Sequence, residues 1–151
     1  MVFEGTGVAA AKLYKGALKP GMAATTIGWG KIDDVFGGSE SLNLKMAGVY
    51  IGEDNVCKAY DSSYMSGKFT SNNGATTCID DSKSTGNGPC DGDFGGPFVI
   101  TVGEEDQVAG IYSYGGGPEG NAECAANGGF NFYENLYKQL SFILSETGIS
   151  L

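Results

Sequence analysis

Glycine is unusually abundant in this chain, at 26 of 151 residues, and it punctuates the sequence from end to end. The usual share is about 7%. Glycine weakens helix interiors but permits tight turns and close backbone approaches. A chain of this length forms about one domain. We therefore expect one turn-rich domain with many short elements.

Composition and charge exclude several classes of protein. The chain is 41% hydrophobic and 18% charged, as in a folded domain, and it has no apolar run near the ~20 residues of a membrane-spanning helix. A net charge of −9 argues against a nucleic acid or an anionic membrane as the partner. Histidine is absent, so this chain alone supplies no histidine base, histidine metal ligand or Ser-His-Asp triad.

Four cysteines, Cys57, Cys78, Cys90 and Cys124, are separated by 21, 12 and 34 positions. A zinc site would need all four thiolates at these irregular spacings, whereas two disulfides need only an oxidising compartment. We expect two disulfides and a secreted, extracellular protein. Because the first residues lack the basic and apolar regions of a signal peptide, we expect a processed or engineered product.

Hydrophobic alternation predicts several short strands, and helical periodicity is clear only at the C-terminus. A bulge is expected at Ala47 and Gly48, where the alternation changes phase. The acidic turn 103–106 is expected to join two strands as a hairpin, with a solvated tip and no metal. The predicted strands cover residues 23–30, 42–51, 98–102, 108–112 and 130–133.

Two segments have helical character. Residues 53–60 are compatible with a short helix. Leu136, Leu140, Ile143 and Leu144 share one helix face near the C-terminus, with Gly148 as a stop, and we expect the last three to be ordinary core. Strands followed by one terminal helix suggest a small barrel or sandwich.

The segment from Cys90 to Pro97 reads Cys-Asp-Gly-Asp-Phe-Gly-Gly-Pro. It resembles the nucleophile loop of the trypsin/chymotrypsin serine proteases, Cys-x-Gly-Asp-Ser-Gly-Gly-Pro. In such a loop, glycines allow a tight turn and successive N–H groups point to one spot, the oxyanion hole. Members of this family cleave peptides with a Ser-His-Asp triad.

The resemblance extends over roughly residues 8–147, and it is to the second half of the family's fold. It is carried by Gly28-Trp29-Gly30, by Ser113-Tyr114-Gly115 and by the segment from Phe132 to Leu136. It implies an all-β fold, a six-stranded antiparallel Greek-key barrel with one C-terminal helix, over residues 21–151. Residues 1–20 would be an interdomain-like segment. The order of the cysteines implies the pairs Cys57–Cys78 and Cys90–Cys124.

Phe94 stands where the family has its nucleophilic serine, and a phenyl ring has no atom that can attack a carbonyl. The family's histidine and aspartate lie in the first barrel, which this chain lacks. The resemblance assigns Gly92 and Phe94 to the oxyanion hole. It makes Asp93 the acid that pairs with a freed amino terminus in active enzymes; here solvation or local N–H donors are the expected alternative.

Four residues fall near the family's primary specificity pocket. They are Gly88, Ser113, Gly115 and Asn131. The pocket base carries no acid at Gly88, so a preference for Lys or Arg is not supported, and Gly88 and Asn131 are also compatible with ordinary loop positions. Gly115, Gly117 and Gly120 have the spacing of a dinucleotide fingerprint, but no helix is indicated after them, and we expect no cofactor.

The preferred interpretation is a secreted, catalytically inactive serine-protease homologue that acts as a protein-binding or inhibitory module. The alternatives are the C-terminal half of a processed or mutated trypsin-like endopeptidase, and a structural subunit that only packs in an assembly. A missing first barrel, another copy or a target protein is the expected partner. Trp29, Tyr114 and Phe94 are predicted to form an aromatic cluster on the bare side of the barrel.

Overall fold

The computed structural model describes residue 7 and residues 9–32, 38–81, 88–120 and 129–148. Strands outnumber helices among the described residues, as the turn-rich sequence predicts. In chain order, the elements are β1 (Lys12–Leu13), β2 (Ala23–Gly28), β3 (Lys45–Tyr50), α1 (Asp54–Tyr64), β4 (Thr76–Asp80), β5 (Pro97–Val102), β6 (Glu105–Gly116), β7 (Phe130–Asn135) and α2 (Leu140–Thr147).

Six strands form one antiparallel sheet in the order β3-β2-β5-β6-β7-β4, and β1 adds a short parallel pairing to β6. The sheet curls so that its two edge strands approach each other. Ile51, after β3, forms a bridge with Ile79 of β4, and the Gly52 N–H donates to the Cys78 carbonyl over 3.0 Å. The predicted all-β class is thus confirmed, as a curled antiparallel sheet of six strands.

The predicted bulge at Ala47 and Gly48 is wrong. The β2–β3 pairing runs from Ala23–Tyr50 to Gly28–Lys45 without a shift. The change of phase in the sequence arises because β3 is an edge strand, exposed on both faces over much of its length, so its side chains do not report burial. The observed register shifts lie between Phe98 and Val99, and between Tyr112 and Tyr114.

The predicted hairpin is confirmed, with a shorter turn. Only Gly103 and Glu104 separate β5 from β6, and Gly103 has a φ of 65°, which favours glycine. Asp106 belongs to the β6 ladder opposite Thr101, and it accepts a 2.7 Å hydrogen bond from the Thr101 hydroxyl. Glu105 and Asp106, which the charge pattern assigned to the turn, therefore belong to strand β6.

Two hydrophobic clusters form the core. One lies within the curl of the sheet, and the other packs α1 on the sheet through Tyr60, Phe69 and Phe132. The disulfide Cys57–Cys78 joins α1 to β4 at an S–S distance of 2.11 Å, as predicted. The first cluster contains Leu18, Ala24, Val49, Ile51, Ile79, Phe98, Ile100, Ala109, Tyr112 and Tyr133.

The structure has two α-helices among the described residues, where the fold prediction had one at the C-terminus. The additional helix, α1, is longer than the segment the sequence suggested. At the C-terminus, α2 ends at Gly148, which has a φ of 65° and donates to the Leu144 carbonyl, as predicted. The assignment of Leu140, Ile143 and Leu144 to the core is wrong: all three are only half-buried, because α2 has no fully buried position.

The segment before β2 packs against the sheet. The Tyr14 N–H donates to the Val108 carbonyl, and Leu18 is buried and exchanges two hydrogen bonds with the Asn73 side chain. The division of the chain at residues 20 and 21 stays a prediction. Across the described residues, no helix is long and apolar enough to cross a membrane.

Candidate functional site: the Phe94 loop and its side-chain network

The loop from Cys90 to Gly96 is held by two successive turns. The Asp93 N–H donates to the Cys90 carbonyl over 3.0 Å, and the Gly96 N–H donates to the Asp93 carbonyl over 2.8 Å. Gly92 and Gly95 have φ values of 94° and 83°, so both turns depend on glycine. The loop is joined to β6 through Tyr112, which accepts from the Gly95 N–H and donates to the Gly96 carbonyl.

The Asp93 carboxylate is held by backbone donors. It accepts from the N–H groups of Gly30, over 2.7 Å, and Cys90, over 3.0 Å. A Cβ atom on Gly28 or Gly30 would overlap the same carboxylate, which explains why Trp29 is flanked by glycines. Between described residues, the ion pairs join Lys12 to Glu105 and Lys31 to Asp91, and neither includes Asp93.

Phe94, which the sequence resemblance aligns with the family's nucleophile, is 55% exposed. One face of its ring lies parallel to the Tyr112 ring, with the centroids 4.8 Å apart and the planes 4° from parallel. Tyr112 is buried, and its hydroxyl donates to the Asn131 Oδ1 over 2.7 Å. The side chain at this position can stack and contact other groups, but it has no nucleophilic atom.

The hydrogen-bond network continues from Asn131 to a buried acid. The Asn131 amide donates to Asp81 Oδ2, while Asp81 Oδ1 has no hydrogen-bond partner although Asp81 is fully buried. Burial, aided by the neighbouring charge of Asp80, raises the pKa of Asp81 to about 8, against the opposing effect of the Asn131 hydrogen bond. Asp81 is therefore mainly protonated at neutral pH.

Three of the four predicted pocket residues lie around this network. A Cβ on Gly88 would come within 3.0 Å of the Asp81 carboxyl group, and a Cβ on Gly115 would overlap the Asn131 side chain. The Tyr112 side chain spans from Phe94 to Asn131 and occupies the space between them. Ser113, the fourth, is exposed at the register shift of β6.

Acidic side chains lie near Tyr112, and among them Asp91 and Asp93 carry negative charge at neutral pH. Burial raises the pKa of Tyr112 above its ordinary value, and the charges of Asp81, Asp93 and Asp91 raise it further. The described residues contain no group of three or more potential ligands that could hold a metal ion. The site offers stacking, hydrogen-bonding and negative charge.

The remaining predicted residues occupy different surroundings. Tyr114 is half-buried, stacks on Phe132 at 4.7 Å and donates to Asp61 over 3.0 Å, so it belongs to the α1 cluster. Burial raises the pKa of Tyr114 to about 12. The hydrogen bond with Ser66 opposes this shift, whereas the hydrogen bond to Asp61 adds to it. Trp29 is 57% exposed. Cys90 is disulfide-bonded, while its predicted partner, Cys124, lies outside the described residues.

Gly92 and Phe94 lie in the glycine-dependent turns of this loop. Within the described part of the chain, their N–H groups donate to no other residue. Their role as an oxyanion hole stays a prediction.

Sequence reasoning missed two residues of the network, Asp81 and Tyr112. Tyr112 directly precedes the Ser113-Tyr114-Gly115 segment that carries the family resemblance, so a bulky side chain next to that segment was the available signal. Asp81 gave no comparable signal, because an aspartate in a polar loop is usually solvated.

A family model described as Trypsin matches residues 4–143 of the chain. The match covers most of the sequence and agrees with the curled antiparallel sheet and the loop at Phe94. The chain belongs to the trypsin family. No curated protein matched it in the search.

Proposed function

We propose that this chain is a secreted, catalytically inactive trypsin homologue that binds another protein through the surface around Phe94. The single observation that carries the proposal is the Phe94 side chain, which stacks on Tyr112 at the nucleophile position and presents its other face to solvent. An exposed aromatic residue backed by a buried ring is typical of a binding anchor.

The neighbouring network supports the loss of catalysis. Because Tyr112 fills the space between Phe94 and Asn131, a substrate side chain would have to displace it from a stacking contact and a hydrogen bond. The chain also carries no histidine to activate a hydroxyl nucleophile. The disulfide supports secretion, since such bonds persist in oxidising compartments.

The test of inactivity combines a panel of peptide esters with a fluorophosphonate probe. We expect no turnover above the uncatalysed rate and no covalent labelling. The Phe94→Ser variant is the matched control, and we expect it to remain unlabelled, because no base is present beside the new hydroxyl. Turnover or labelling of the unmodified chain would contradict the proposal.

The test of binding uses Nile red, a neutral dye whose fluorescence reports exposed apolar surface. We expect Phe94→Asp to lower dye binding. Phe142→Asp, which changes an exposed phenylalanine on α2, controls for a general loss of apolar area. Equal dye binding by the unmodified chain and Phe94→Asp would place the binding surface elsewhere.

The half of a processed trypsin-like endopeptidase is a second candidate, favoured by the hydrogen bonds that keep the loop of Phe94 intact. In that case, a separate first barrel would supply the histidine and the aspartate. Activity of Phe94→Ser after addition of such a partner would favour it.

A further inference from the structure

We infer that the surface around Phe94 binds a partner protein through an arginine side chain, whose guanidinium stacks on the exposed face of Phe94. This inference rests on the proposed function and names the chemistry of the partner. It follows from the exposed ring, the negative charge beside it and the composition of the chain, taken in turn below.

The ring of Phe94 offers one free face in a fixed orientation. Its other face is covered by Tyr112, which is itself held by a hydrogen bond to Asn131. A planar guanidinium stacks well on such a face, because the π system is negative there and the weakly hydrated cation loses little solvation. The buried support also means that the ring needs no ordering when a ligand binds.

Carboxylates lie in and against the loop that carries this ring, and the charges of Asp93 and Asp91 act on Tyr112, on which the ring stacks. Glu40 is exposed, and its Oε1 would lie 3.4 Å from a Cβ placed on Gly92, two residues before Phe94. Between described residues, Asp93 accepts from backbone N–H donors and forms no ion pair, whereas the charge of Asp91 is offset by Lys31. Within the described part of the chain, Glu40 and Asp93 therefore keep negative charge that a guanidinium would neutralise.

Exposed apolar side chains lie on the neighbouring segments of β2 and β3. Trp29 lies between the two glycines that contact the Asp93 carboxylate, and Lys45 of β3 pairs with Gly28 next to it. Leu44 and Met46, on either side of Lys45, are exposed. An arginine flanked by apolar residues would match this arrangement, since interfaces favour arginine and aromatic anchors within an apolar centre.

Composition disfavours a second copy as the partner. All nine basic residues of the chain are lysines, so another copy has no guanidinium to offer. Each copy also carries a net charge of −9, which opposes self-association. The complementary partner is a different protein with a basic surface.

The experiment compares nona-arginine with nona-lysine, which carry the same charge, at physiological salt. Trp29, the sole tryptophan, lies between the two glycines that pack against the Asp93 carboxylate of the Phe94 loop, and its fluorescence is the readout of binding. We expect nona-arginine to bind about fivefold more tightly, the size of an exposed cation–π contact. The Phe94→Leu variant, which keeps apolar volume without a π face, should remove this preference, while Phe142→Leu should retain it.

Charge is tested separately from stacking. Glu40→Gln should weaken both peptides about twofold, and Glu104→Gln, which removes the same charge at the β5–β6 turn, should have a smaller effect. Equal binding of the two peptides, or a preference that survives in Phe94→Leu, would overturn the arginine assignment.

Failure of this inference can be told apart from failure of the proposed function. If the peptides bind equally while dye binding still depends on Phe94, the partner chemistry is wrong and the binding surface stands. Covalent labelling by the fluorophosphonate probe would contradict the proposed function, whichever of the two peptides binds more tightly.

Discussion

Asp61 and Asp81 are both fully buried, yet their surroundings differ. The Asp61 carboxylate accepts from the N–H groups of Ser66 and Phe69, from the Ser66 hydroxyl and from the Tyr114 hydroxyl. Asp81 accepts one hydrogen bond, from Asn131, and leaves one oxygen without a partner. The first acid closes the end of α1, and the second lies behind the Phe94 loop.

The difference separates a supporting region from the candidate site. Buried polar groups are normally satisfied, and exceptions are concentrated where a fold is built for function. The α1 region, with its disulfide and its satisfied carboxylate, stabilises the sheet. The Phe94 region combines a glycine-dependent loop with a stacked aromatic pair and a neutral acid.

Among the variants considered, we expect Asp61→Ala to lower the free energy of unfolding the most. Removal of the carboxylate leaves the N–H of buried Phe69 and the hydroxyl of Tyr114 without an acceptor, at a cost of about 3–4 kcal/mol. Urea unfolding followed by circular dichroism measures it. Asp54→Ala, which removes another acceptor of two hydrogen bonds near the start of α1, is the control for a general loss of helix stability. A change below about 1 kcal/mol would contradict the supporting role of Asp61.

The disulfide of the same region should contribute slightly less. Replacing both Cys57 and Cys78 by alanine opens a loop of 21 residues, for which chain entropy gives about 3 kcal/mol. The melting temperature of this double variant measures the loss without reducing the bond at Cys90. An unchanged melting temperature would mean that hydrogen bonds and packing alone hold α1 on the sheet.

The protonation of Asp81, the buried acid behind the Phe94 loop, should make the free energy of unfolding depend on pH. Its pKa is about 8 in the folded chain, raised from 3.8, so the folded state holds a proton that the unfolded state releases between these values. The free energy of unfolding should therefore fall as pH rises from about 4 to 8. Between pH 5 and pH 7, the loss is at most about 2.7 kcal/mol.

Asp81→Asn is the matched control, because the amide is neutral at every pH and has nearly the same shape. We expect its unfolding free energy to vary less between pH 5 and pH 7 than that of the unmodified chain. Parallel pH profiles for the two proteins would show that Asp81 is not the protonated group.

The sequence predicted the parts of the fold that local patterns encode. The hairpin at Gly103, the stop at Gly148 and the Cys57–Cys78 pair were all accessible, the last through the family resemblance. Prediction from the sequence failed where the burial of a side chain depends on elements that are distant in sequence. The alternation at Ala47 does not mark a bulge because β3 is an edge strand, and the apolar face of α2 is only half-covered.

The same limit applies to the site. The loop residues Gly92, Asp93 and Phe94 were identified from a contiguous motif. The sequence did not identify the residues behind this loop. Tyr112 and Asp81 are distant in sequence and are joined through their hydrogen bonds to Asn131. A residue pattern can report a loop, but only the pairing of β6 with β7 and of β7 with β4 shows which side chains face one another.

The smallest expected change in stability comes from an experiment that tests whether Tyr112 acts as a plug, that is, whether its side chain fills a pocket between Phe94 and Asn131. Tyr112→Ala should leave a cavity between Phe94 and Asn131, into which p-cresol, the side-chain analogue of tyrosine, can bind. At about ten times its dissociation constant, p-cresol should restore about 1.4 kcal/mol of stability to the variant. Thermal unfolding with and without the ligand measures the recovery.

Toluene provides the matched ligand control, because it keeps the ring and the methyl group but cannot donate to Asn131 Oδ1. We expect it to restore less stability than p-cresol, since the cavity then retains an acceptor without a donor. The unmodified chain should respond to neither compound at the same concentrations. If toluene and p-cresol stabilise Tyr112→Ala equally, the hydroxyl contributes little and stacking on Phe94 alone holds the plug. If neither compound stabilises the variant, the walls collapse when Tyr112 is removed, and the space behind Phe94 is ordinary core with no preformed pocket to fill.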